Sequence, residues 1–246
     1  MSQKLVGKTV LVTGGGRGIG EAICRRFALE GATVAVADID AETAETTSAN
    51  LPIPGLPIEM DVASTESIRQ GMKLAISEFE KLDILVNNAG YLRYTQVSDC
   101  SEEEWDKQID INLKGMFFCS QVAINHMIER KQGVILSMSS LAAKNGGLAA
   151  SAPYAAAKGA IFTLTITLAR FGAPHGVRVN ALAPGVIDTP MTRGLSSDHA
   201  SLSNTIPLGE KGQPEDVAAC ALFLASDDAR HITGETVDVN GGLFMD

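Results

Sequence analysis

The chain has 246 residues, with 29 Asp plus Glu against 20 Lys plus Arg, a formal net charge of −9 and 45% hydrophobic residues. That length suits one α/β domain with one core, and the acidity argues against a nucleic-acid surface, which needs a basic face. Four scattered cysteines with no C-x-x-C pair, four dispersed histidines and no leader or bilayer-length apolar run point to a cytoplasmic protein with reduced thiols, no metal site and no membrane contact.

In chain order, Lys8-Thr-Val-Leu-Val-Thr13 is a β-branched apolar run, the pattern of a buried parallel strand. It enters Gly14-Gly-Gly-Arg-Gly-Ile-Gly20, and a helical pattern occupies 19–30. Strand, glycine turn and helix together bring backbone N–H groups and a helix N-terminus up to a pyrophosphate. Gly14 serves the sharp turn, while Gly18 and Gly20 permit close approach of phosphates and of helix to strand. The spacing is G-x-x-x-G-x-G and lacks a Gly-Lys-Ser/Thr ending, which disfavours a triphosphate-binding loop.

A second strand, 33–38, ends in Asp38, where a ribose-binding carboxylate belongs. An acid there repels the extra phosphate of NADP, and Ile39 and Asp40 offer no offsetting cation. The reading is therefore NAD rather than NADP, with Arg17, able to reach a phosphate, as the counter-indication. Asp40 suits the N-cap of a helix over 41–50.

Further strands are read at 57–60, 83–87, 133–138, 177–183 and 236–239, and helices at 64–80, 101–131 with a break near Asn112, 152–173 and 214–225. Seven strands alternating with helices predict a doubly wound, Rossmann-like α/β fold: a parallel sheet with right-handed crossovers, helices on both faces, and a single domain over 1–246. Ligands of such sheets sit beyond the carboxyl ends of the strands. Asn88, Ala89 and Gly90 follow the fourth strand, Ser140 the fifth, and Pro184 to Thr189 the sixth.

Tyr154 and Lys158 stand one helical turn apart on one face. A cation there favours the phenolate and is expected to lower the tyrosine's pKa, so that Tyr154 exchanges a proton with an alcohol or carbonyl. A serine hydroxyl must hold the substrate oxygen, and Ser137, Ser139 and Ser140 are on offer. The polar segment between Pro190 and Pro207 reads as a lid over a substrate, about 190–207. Helices 152–173 and 113–128 are apolar around much of their circumference, which calls for a partner subunit.

The glycine turn, Asp61-Val62, Asn87-Asn-Ala-Gly90, Asn112 in Asp110-Ile-Asn-Leu113, Ser139-Ser140, Tyr154-x-x-x-Lys158 and Pro184-Gly185-Val-Ile-Asp-Thr189, in that order, resemble the short-chain dehydrogenase/reductase family in its single-domain form. The resemblance covers essentially the whole chain. It implies strand order 3-2-1-4-5-6-7, a homotetramer, and Asn112, Ser140, Tyr154 and Lys158 as catalytic residues. Ser140 lies one residue farther from the tyrosine than the family pattern, so the loop 143–153 carries an extra residue that Gly146 and Gly147 can absorb. Ser139 is then turn support.

By the same resemblance Lys158 also binds the nicotinamide ribose, and Asn112 holds a water that relays protons from Lys158. Asp61 and Val62 flank the adenine, while Asn88, Ala89 and Gly90 line the wall beneath the adenosine ribose. Ile187 and Thr189 hold the carboxamide on the turn of Pro184 and Gly185. Arg17 and Ile19 join the contacts of the glycine turn.

The expected activity is NAD-dependent hydride transfer on a small secondary alcohol or ketone, with polyols, sugars and hydroxyacid derivatives as candidates. The rival is a 3-oxoacyl-carrier-protein reductase, which shares every catalytic residue, normally runs on NADPH and needs a basic docking patch; Arg130-Lys131 is a small one. A non-enzymatic NAD sensor would be expected to have lost Tyr154 or Lys158, and both are present.

Overall fold

Strand residues alternate between two apolar faces, and each face is covered by helices. The structure, a computed structural model, describes residues 3–147, 150–193 and 205–245. The strands are β1 (Thr9–Thr13), β2 (Thr33–Asp38), β3 (Leu56–Glu59), β4 (Ile84–Asn87), β5 (Gly133–Met138), β6 (Val177–Pro184) and β7 (Thr236–Val239). They form one sheet in the order β3-β2-β1-β4-β5-β6-β7, and every neighbouring pair is parallel. The order reverses between β1 and β4, which opens a crevice at their carboxyl ends.

Val10 and Val12 of β1 face helices α1 (Gly18–Leu29) and α9 (Pro214–Ala225), where they meet Ile23, Phe27, Val217 and Leu222. Leu11, one residue out of phase, faces α3 (Thr65–Phe79) and α5 (Gly115–Arg130), among Ile68, Met72, Cys119 and Met127. This is the period of two that sends successive side chains to opposite faces. Phe27 has no exposed surface, and truncating a side chain so placed costs about 3–5 kcal/mol. Helix α2 (Ala41–Ala49) starts on Asp40, whose side chain accepts from the Thr43 amide at 3.2 Å, as its capping pattern requires.

The stretch expected as one interrupted helix is α4 (Glu102–Ile109), a π-helical turn over Asp110–Lys114, and then α5. Such turns arise where one extra residue is held in a helix. Helix α7 (Ala152–Gly172) carries Tyr154 and Lys158. Two short helices were not foreseen: α6 (Ala142–Asn145) and α8 (Pro190–Arg193).

The opposite end of the sheet is tied by Asp83, which is 2% exposed. Its carboxylate accepts from the Thr9 amide at 3.0 Å, and from Arg130 and Gln132 at 3.1 Å each, with Lys81 3.1 Å away. Burial disfavours its charge, but these hydrogen bonds outweigh that and hold its pKa down at about 2. Arg130, considered as part of a docking patch, is thus engaged within the fold.

Cys24, Cys100, Cys119 and Cys220 are free, and burial pushes the Cys119 thiol up to about 12. Among the described residues no helix is long and apolar enough to cross a membrane, and no group of three or more His, Cys, Asp or Glu is placed to hold a metal.

Candidate active site

A cavity of about 470 Å³ opens at the carboxyl ends of the strands. It is lined by Gly14, Arg17, Gly18, Ile19, Asp38, Asp61, Val62, Asn88, Ala89, Gly90, Ser140, Tyr154, Lys158, Pro184, Gly185, Ile187 and Thr189. Two sequence candidates, Gly20 and Asn112, lie behind its wall.

The glycine turn shows why those positions carry no side chain. Gly14 has φ +61°, and a Cβ there would lie 2.8 Å from the Ala89 Cα. A Cβ on Gly20 would overlap the Gly14 carbonyl oxygen. Asn88 fastens this turn to the end of β4, its Nδ2 donating to the carbonyls of Thr13 at 3.0 Å and Gly14 at 2.9 Å. Gly18, in contrast, has open space: a Cβ would come no nearer than 3.6 Å to Thr189. Arg17, at the N-cap of α1, gives the first-turn amides no side-chain acceptor. Uncapped N–H groups at a helix start facing a cavity fit a pyrophosphate, so the turn suits a dinucleotide.

Asp38 lines the cavity and is also tied to the backbone. It is 6% exposed; its Oδ2 accepts from the Gly16 amide at 2.9 Å and its Oδ1 from the Asp40 amide at 3.2 Å. The carboxylate is part of the scaffold of the glycine turn. Exposed Arg17 on the same cavity supplies the cation that residues 39 and 40 lack.

At the other end, Ser140 and Tyr154 line the cavity together, while the Ser139 hydroxyl, 3% exposed, donates to the Lys158 carbonyl at 2.8 Å. Ser140 therefore faces the cavity and Ser139 braces β5 against α7. Lys158 Nζ donates to the Met138 carbonyl at 2.7 Å and lies 5.6 Å from the centre of the Tyr154 ring. Burial lowers the Lys158 pKa to about 8. The expected depression of the tyrosine is reversed: burial raises the Tyr154 pKa above the ordinary range, opposed by the Ser140 hydrogen bond. The phenol is neutral at pH 7, the form that gives a proton away.

Asn112, 1% exposed, spends its side chain on the backbone. Its Nδ2 donates to the carbonyls of Tyr91 at 2.7 Å and Gln108 at 2.8 Å, and its Oδ1 accepts from the Tyr91 amide at 3.1 Å. The side-chain amide fixes the strand exit carrying Gly90 and Tyr91.

Sequence reasoning missed Tyr91, Leu92, Lys107, Ile111, Asn145 and Met191, all on the cavity. Tyr91 and Leu92 merely continue the exit at Gly90, a usable signal. Lys107 and Ile111 share a helix face, and the Lys107 ammonium lies 4.5 Å from the centre of the Tyr91 ring. Of the segment 190–207, α8 brings Pro190, Met191 and Thr192 to the cavity, while 194–204 lie outside the described residues.

Comparison with known proteins decides the family. A family model described as enoyl-(acyl carrier protein) reductase matches residues 14–244. The chain belongs to the short-chain dehydrogenase/reductase family. It is 38% identical to a 3-oxoacyl-(acyl-carrier-protein) reductase of Thermotoga maritima, over 98% of this chain and 100% of that protein. The crystal structure of a short-chain type dehydrogenase/reductase from Mycobacterium marinum superposes with TM-score 0.95 at 31% identity, covering 100% of this chain and 98% of that one. A Brucella melitensis 3-ketoacyl-(acyl-carrier-protein) reductase, described as complexed with NADH, gives TM-score 0.93 at 34% identity, covering 98% and 100%.

As a short-chain dehydrogenase/reductase the protein is an oxidoreductase, and the expected preference for NAD over NADP is corrected. The matched relatives are named for 3-oxoacyl reduction, the activity that normally runs on NADPH. The acid on which the NAD reading rested is engaged with the Gly16 and Asp40 amides.

Proposed function

We propose that this protein reduces the 3-oxo group of an acyl thioester borne by a carrier protein to the 3-hydroxy group, with NADPH as reductant. This replaces the reading as an NAD-linked dehydrogenase of small alcohols. The observation that carries it is the full-length match to relatives named 3-oxoacyl-carrier-protein reductase, 38–40% identical over 97–98% of this chain. Ser140, Tyr154 and Lys158 on one cavity supply the residues such a reduction needs.

The glycine turn and the Pro184–Thr189 segment would hold a reduced nicotinamide dinucleotide, which would supply a hydride to C3. Tyr154 donates its proton to the substrate oxygen, so the C=O bond becomes H–C–O–H by addition of one hydride and one proton. Ser140 donates a hydrogen bond to that oxygen and stabilises the charge growing on it. Lys158, one helical turn away, favours the tyrosinate left behind. The family model's description names reduction of an enoyl group; a donor hydroxyl pair of this kind suits a carbonyl oxygen better than a C=C bond.

The segment 190–207 is proposed as the lid, supported by the lining contributed by α8. A homotetramer is proposed on the exposed apolar side chains of α7, Ile166 at 43% and Phe171 at 55%. Exposed Arg17 and Lys107 at the cavity edge are the cations an acidic carrier would meet.

The test follows reduced-nicotinamide absorbance with a 3-oxoacyl thioester on carrier protein, against secondary alcohols in the reverse direction. Consumption of NADPH with the thioester as the better substrate is expected. Turnover of simple alcohols alone, with the thioester inert, would overturn the proposal.

A further inference from the structure

Helix α4 ends near a fully buried glutamine that is no part of the cavity wall. Gln108 is 0% exposed. Its Oε1 accepts from the Ser151 hydroxyl at 2.7 Å, and its Nε2 donates to Glu104 Oε1 at 2.8 Å and to the Arg93 carbonyl at 3.1 Å. The Arg93 carbonyl fixes the sense of this chain. A carbonyl only accepts, so the amide nitrogen must face it and Glu104, which is 7% exposed, and the amide oxygen must face Ser151.

Ser151 immediately precedes α7 and is 1% exposed. A serine at an N-cap ordinarily turns its hydroxyl to the first-turn amides of its own helix. Here it makes no such bond; the hydroxyl points outward to Gln108. Pro153, in the first turn, has no N–H to cap. The turn that carries Tyr154 is thus held by a strut from α4. The carbonyl of the same Gln108 accepts from Asn112, which fixes Tyr91, so one residue braces two walls of the cavity.

We infer that Gln108, acting through Ser151, is a positioning residue that sets where the Tyr154 hydroxyl stands relative to Ser140 and the substrate oxygen. The inference rests on the reductase reading above. A proton donor misplaced by about 1 Å loses on the order of 10²-fold in rate, and the strut governs a helix end, where fraying starts.

The experiment compares Gln108→Leu, Ser151→Ala, the double variant and Ser151→Thr for kcat and KM with NADPH and a 3-oxoacyl thioester. NADPH affinity is measured separately by fluorescence. Each single loss of the bond lowers kcat by about tenfold, with NADPH affinity within about twofold of the parent. The double variant falls no further than the weaker single, because both act through one bond, and Ser151→Thr recovers most of kcat by restoring the hydroxyl. Parental kcat in Ser151→Ala, multiplied losses in the double variant, or an equal loss of NADPH affinity would overturn the inference. Should Gln108→Leu fail to fold, the Ser151→Ala and Ser151→Thr pair decides. An inactive parent overturns the reductase reading and this inference with it; an active parent with unaffected variants overturns the inference alone.

Discussion

The Ser139 hydroxyl donates to the carbonyl of Lys158 at 2.8 Å, joining the end of β5 to the middle of α7 beside the reaction centre. Its neighbour Ser140 lines the cavity with Tyr154. Replacing each serine by alanine therefore has different consequences. Ser140→Ala should lower kcat about 10²–10³-fold with the fold intact. Ser139→Ala should cost about 1 kcal/mol of stability through loss of one buried hydrogen bond, with the smaller effect on rate. Steady-state kinetics and denaturant melts on both variants separate these outcomes.

Tyr154→Phe removes the proton donor and leaves the glycine turn untouched. Turnover should fall by at least about 10²-fold, while NADPH binding, read from its fluorescence, stays close to the parent. Undiminished turnover would remove Tyr154 from the mechanism.

The pH profile of reduction follows from half-buried Tyr154 and buried Lys158. Burial keeps Tyr154 protonated beyond the ordinary tyrosine range and lowers Lys158 to about 8. Reduction needs the phenolic proton and a charged lysine, so the rate is full near neutral pH and falls as pH rises through about 8, where Lys158 loses its proton first. Lys158→Arg keeps its charge at every accessible pH. The alkaline fall should then move upward even if the maximum rate drops; an unmoved limb would assign it to another group.

Asp83 makes an acid-side prediction. Its folded pKa of about 2 lies below the ordinary carboxyl value, so its stabilisation is present above that ordinary value and lost as pH falls toward 2. The shift amounts to roughly 2 kcal/mol. Asp83→Asn should lose about that much near neutral pH and show a flatter acid limb in urea melts at a series of pH values.

Asp38→Ala tests the coenzyme correction. Because the carboxylate accepts from the Gly16 and Asp40 amides, its removal should loosen the glycine turn and weaken NADPH and NADH alike, by several-fold. Titration of each coenzyme checks this. A clean exchange of preference would show instead that the acid meets the ribose.

The sheet and the glycine turn were legible in sequence because both are local patterns: alternating apolar strands, and glycines such as Gly14 and Gly20 where a Cβ would strike a neighbour. The loop after Ser140 holds the short helix α6 and the positive-φ Gly146 and Gly147, features that no local pattern announces. What could not be read were the partners of polar side chains. The strand-end carboxylate looked free because the Gly16 amide that engages it lies 22 positions earlier. Gln108 looked like one more polar residue on a helix because Ser151 is 43 positions away. The phenol was misjudged for a related reason: spacing puts a cation nearby, but the surrounding protein shields the ring from water, and that effect is larger.

The π-helical turn at Asp110–Lys114 makes the length of its helix a fixed dimension of the molecule. Because that turn already absorbs one extra residue, deleting one there would restore regular winding while Gln108 on one side and Met116, Cys119 and Met127 on the other keep their faces. A further residue has no such slack and would turn α5 against α4 by about 100°. A one-codon insertion at Ile111 should thus be more damaging than a one-codon deletion at the same position.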